Sequence, residues 1–120
     1  GLFLRESIIL CDNVAIVHTN KDREELEIII VTSSKFRNKK ARPIVKGFLK
    51  RYPEVEREYN RLKKINGEQT YYFQIIRNGS LRKYIFLENI YTTCVKSVYT
   101  PAAIESIKIA RGQINFNERG

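Results

Sequence analysis

A chain of 120 residues with 42% hydrophobic and 29% charged side chains reads as one domain, large enough to bury a core without staples. No apolar run approaches the roughly 18 residues that cross a bilayer as a helix, so no membrane partner is expected. The formal net charge of +9 sits in one segment: residues 35 to 64 hold twelve basic side chains against Glu54, Glu56 and Glu58, and the rest of the chain balances. A face basic in one place usually meets phosphate.

Taken in order, residues 7 to 11 and 14 to 18 are short β-branched runs separated by Asp12-Asn13, and they read as strands about a turn. Gly1 to Leu10 lack the basic start and small-residue cleavage site of a secretory signal, and an intracellular protein is expected. The missing initiator Met leaves open processing, tagging or excision from a longer chain. Lys21 to Glu25 is a polar connection. Residues 26 to 32 are apolar nearly throughout and read as a central strand buried on both faces.

Ser33 to Arg42 reads as a basic loop. Pro43 suits the first turn of a helix, and Ile44, Val45, Phe48, Leu49 and Tyr52 continue at helical spacing. Pro53 then kinks or divides the helix, which Asn66-Gly67 ends. Residues 70 to 77 and 82 to 92, rich in Tyr, Phe and Ile about Asn78-Gly79-Ser80, read as a β-hairpin. Thr100-Pro101 opens a last helix with a hydroxyl cap; Gly112 should stop it, and 113 to 117 reads as a short final strand. The order implies an α/β fold, a mixed sheet with helices packed on it.

The basic loop carries the functional expectation. Lys35, Phe36, Arg37, Lys39, Lys40, Arg42 and Lys46 form a candidate phosphate-binding surface at a helix N-terminus, where free N–H groups and the helix dipole favour anions. Tyr52, Tyr71, Tyr72, Tyr84 and Tyr91, near the basic residues, offer rings on which bases could stack, but most are expected as core or interface aromatics. Phe36, inside the loop, suits either stacking or anchoring. No G-x-S-x-G, H-E-x-x-H or Walker loop is present, so catalysis and cofactors are not expected. His18 is expected to be structural, with Asp12 or Asp22 as orienting partners, and Asp22, Glu24, Glu25 and Glu27 to form an acidic connector rather than a metal site. Cys11 and Cys94 lack ligand spacing and are expected as reduced thiols.

From the central strand onward the chain resembles the macro domain, the ADP-ribose-binding module. The resemblance rests on Ile28 to Ser34, the following loop, and Ile44 to Tyr59 with its Arg51-Tyr52-Pro53. Asn66-Gly67-Glu68, Arg82 to Phe86, Thr100 and Ile114 to Gly120 extend it, the second and last of these as strands. It implies a three-layer arrangement and an ADP-ribose site at Ser33, Ser34 and Ala41. The family's Asn falls at Ser33 or Ser34, and its glycines near Lys40, Ala41 and Arg42, where side chains obstruct a backbone phosphate cradle. The resemblance therefore implies a site turned basic, for RNA or DNA, without catalysis. An ADP-ribose reader or hydrolase, and an assembly module docking on an acidic protein partner, are the alternatives.

Overall fold

A computed structural model describes every residue except Gly1, Arg5, Glu6, Glu24, Phe36, Arg37, Ser80, Leu81 and Gly120. In chain order the elements are β1 (Leu2–Leu4), β2 (Ser7–Ile9), β3 (Val14–Asp22), β4 (Glu25–Thr32), β5 (Arg42–Pro43), α1 (Lys46–Arg51), α2 (Pro53–Ile65), β6 (Tyr72–Ile76), α3 (Arg82–Thr93), β7 (Val98–Tyr99) and α4 (Pro101–Arg119). β1 and β2 pair separately; the others form a five-stranded sheet in the order β5-β6-β4-β3-β7. All its pairs are antiparallel except β3 with β7.

β4 is the middle strand. Ile28, Ile29, Ile30 and Val31 have no solvent exposure, because helices cover both faces of this continuous apolar run. Ile16, Ile29 and Val31 pack under Phe48, Tyr52 and Val55 from α1 and α2. Val17, Ile28 and Ile30 pack on the other face under Leu87 and Ile90 of α3 and Ala103 and Ile107 of α4. The arrangement is α/β in three layers, as the sequence indicates.

Several local expectations are corrected. Residues 82 to 93 are a helix: Lys83, Leu87 and Ile90 are its buried residues, a spacing of four and three that one helix face requires. Gly79, at φ 118°, turns the chain into that helix, its carbonyl accepting from the Arg82 N–H at 2.8 Å. Pro43 lies on an edge strand, where its absent N–H leaves no ladder bond unmade. α4 continues through Gly112 to Arg119, since one glycine weakens a helix by about 1 kcal/mol without ending it. The macro-like pattern at 82–86 and 114–119 thus falls on helices, not strands.

Cys11 and Cys94 are joined in a disulfide. The chain brings the approach to β3 beside the end of α3, and a sequence separation of 83 gives no hint of that proximity. Among the described residues no helix is long and apolar enough to cross a membrane. The division at Pro53 does occur: Tyr52 leaves helical geometry, and α2 begins on the proline.

Candidate nucleic-acid interface

The basic loop begins where β4 ends. Thr32 Oγ1 donates to the Ser34 carbonyl at 2.9 Å, and the Ser33 N–H donates to the Asn13 carbonyl at 2.8 Å. Gln69 Nε2 donates to the Ser33 carbonyl at 2.9 Å, tying the strand end to the segment before β6. Asn38 then organises the turn. It is buried, its N–H donates to the Lys35 carbonyl at 3.0 Å, and its Oδ1 accepts from the Lys40 N–H at 3.2 Å. Such self-bonding is what asparagine offers a turn. Lys39 and Lys40 stand exposed at the tip.

Arg42 and Pro43 then join the sheet as β5, opposite Phe73 and Tyr72. Arg42 and Lys46 are exposed, and so is Lys35, whose Nζ lies 5.9 Å from the Tyr72 ring centroid. The structure therefore gathers Lys35, Lys39, Lys40, Arg42 and Lys46 along one sheet edge. Phe36 and Arg37 lie outside the described residues. The position differs from expectation in one respect. The helix begins only at Lys46, is six residues long, and is separated from the loop by β5, so the loop does not sit on a helix N-terminus.

The segment's acidic residues are largely engaged elsewhere. Glu54 Oε1 accepts from the Ala102 N–H at 3.0 Å, at the start of α4, and Glu58 pairs with Arg61 at 3.2 Å. Lys35, Lys39, Arg42 and Lys46 make no ion pair among the described residues. Ser33, Ser34 and Ala41 occupy the loop's two flanks. The Ala41 N–H donates to the Asn38 carbonyl at 3.3 Å and the Lys40 N–H to its side chain, so these amides are occupied internally where a phosphate cradle would present them free.

A second polar region lies at the other end of β4. Asn20 of β3, Glu27 of β4 and Arg77, just past the end of β6, form a row: Glu27 accepts from Asn20 Nδ2 at 3.2 Å and from Arg77 Nε at 2.7 Å. The Glu27 side chain is 4% exposed. Burial alone would raise its pKa; hydrogen bonds from Asn20 and Arg77 and the charges of Arg77 and Arg51 outweigh that and hold it below the ordinary value. The row borders a cleft of about 430 Å³ lined by Asp22, Arg23, Glu25, Glu27, Arg77 and the Asn78-Gly79 turn. Glu25 pairs with Lys83 at 3.2 Å. Of the acidic connector, Glu25 and Glu27 are thus structural partners and Glu24 lies outside the described residues; among the described residues no group of His, Cys, Asp and Glu is arranged to hold a metal.

Tyr52, 3% exposed, extends from the helix break onto this face, its hydroxyl lacking a hydrogen-bond partner among the described residues. Burial first, then the Glu27 carboxylate, raises its pKa. His18 meets neither Asp12 nor Asp22 in a hydrogen bond; its Nδ1 lies 2.7 Å from Thr100 Oγ1. Neither partnership was visible in the sequence, because strand register and the helix break create both.

Fold and loop together define an α/β domain with a cationic sheet edge. No family model, curated protein or solved structure matches the chain.

Proposed function

We propose that this domain binds phosphate-rich polymers, RNA or DNA, without catalysis, through Lys35, Arg37, Lys39, Lys40, Arg42 and Lys46. The observation that carries this reading is the exposure of Lys35, Lys39, Arg42 and Lys46 on one edge with no carboxylate partner among the described residues. Exposed, unpaired cations release counterions when they meet phosphate. The reading draws on the strand-loop-helix stretch of the macro-domain resemblance but does not depend on it. The test is the salt dependence of binding to a labelled oligonucleotide. The logarithm of the affinity should fall by roughly 0.7 to 0.9 per logarithmic unit of salt for each phosphate neutralised. A flat response rejects the proposal. Saturable heat with ADP-ribose in calorimetry would favour the nucleotide-reading alternative instead.

An intracellular setting, where nucleic acid is abundant, belongs to the same proposal. The Cys11–Cys94 bond argues the other way, because disulfides persist mainly in oxidising compartments. Alkylation of intact cells before lysis decides the matter: two blocked thiols support the intracellular placement, and an intact bond refutes a reducing compartment.

A further inference from the structure

β6 lies one strand in from the sheet edge, and successive side chains point to opposite faces. Phe73 and Ile75 pack toward α1 and α2, with Phe73 stacked on Phe48 at 3.9 Å between centroids. Tyr72, Gln74 and Ile76 therefore share the other face. There α3 and α4 pack chiefly over β3 and β4, and Ile76 joins their core. Toward the basic loop the same face carries Gln74, the half-buried Tyr72 and, across the strand pair, Pro43. The Lys35 ammonium stands over the Tyr72 ring. Gln74 is only 8% exposed, yet its Oε1 has no hydrogen-bond partner among the described residues. Stability alone does not favour a buried amide oxygen without a donor.

An aromatic ring, a neighbouring amide acceptor and a border of cations are the parts needed to hold one unpaired base. The ring takes the base's face, the cations take the phosphates beside it, and the amide oxygen accepts from a base N–H. A duplex hides both the faces of its bases and their Watson–Crick edges. We infer that the Tyr72–Gln74 face of β6 takes an unpaired nucleobase, so that the polymer held by the basic loop is single-stranded. This rests on the polyanion reading above. Lys35 shifts from the ring to an adjacent phosphate as the base stacks, and Gln74 turns outward by a change of rotamer.

The test is fluorescence anisotropy with a labelled strand of about 12 nucleotides, within the site sizes of small single-strand binders, alone and annealed to its complement. The protein should prefer the single strand by about tenfold, the contribution of one stacked base. Tyr72→Leu should lose that preference while keeping duplex affinity and salt slope, since no cation is removed. Tyr72→Phe should retain it. Gln74→Leu should stabilise the fold yet weaken single-strand binding. Retained duplex binding by Tyr72→Leu also shows that the variant is folded. Equal wild-type affinity for strand and duplex overturns this inference alone, as does undiminished single-strand binding by Tyr72→Leu. Binding to neither at low salt overturns the polyanion reading with it.

Discussion

The junction of Thr100 with His18 joins α4 to the sheet through two side chains. Thr100 Oγ1 accepts from the Ala103 N–H at 3.2 Å and, in the imidazole tautomer whose Nδ1 carries no proton, donates its own to His18 Nδ1 at 2.7 Å. That geometry fits a neutral imidazole. Burial lowers the His18 pKa, and the nearby Glu54 carboxylate only partly offsets it. The unfolded chain therefore binds the proton more readily, and stability should be full above the ordinary histidine value and decline as pH falls through it. His18 is the chain's one histidine. Urea midpoints measured from pH 7 down to about 5 should show the decline, and His18→Asn, which keeps an acceptor near Nδ1, should flatten it. Thr100→Ala should cost about 1–2 kcal/mol by urea denaturation, through loss of the cap. The cap was legible in the sequence, because Thr-Pro is a local signal. Its histidine partner was not, because it lies 82 positions away.

At the scale of elements, legibility follows the range of the signal. β4 was plain from composition, since a run of isoleucines has few alternatives to a buried strand. α3 was not: its tyrosines, isoleucines and phenylalanine favour strands, and tertiary packing of Leu87 and Ile90 on β4 overrides that preference. The anchor of α3 is Lys83, 3% exposed, whose Nζ donates to the carbonyls of Leu26 and Arg77 at 2.8 Å and to Glu25 at 3.2 Å. Lys83→Ala leaves those carbonyls without this donor and should lower stability by about 2–3 kcal/mol in urea denaturation. Lys83→Arg should not restore it fully, because a planar fork replaces a compact ammonium. Of the candidate site, the loop's charge was legible and its mounting was not. β5 is two residues long and forms only because β6 is there to pair with it.

For the whole molecule, the disulfide ties the approach to β3 to the end of α3. Replacing Cys11 and Cys94 by serine should lower unfolding free energy by about 2–4 kcal/mol while leaving the sheet intact, as chemical denaturation and circular dichroism would show. Reversing Lys39 and Arg42 to glutamate should weaken oligonucleotide binding and reduce the salt slope by about one unit for each phosphate no longer neutralised, leaving stability nearly unchanged. The opposed ends of β4 carry a further consequence. Lys35, Lys39, Arg42 and Lys46, without ion pairs among the described residues, gather beyond Thr32, while at the strand's start Glu25 and Glu27 are matched by Lys83 and Arg77. The molecule therefore has an electric moment directed along its central strand. In the field of a polyanion it should rotate before contact, arriving loop foremost, and this alignment should fade as ionic strength shortens the reach of the field.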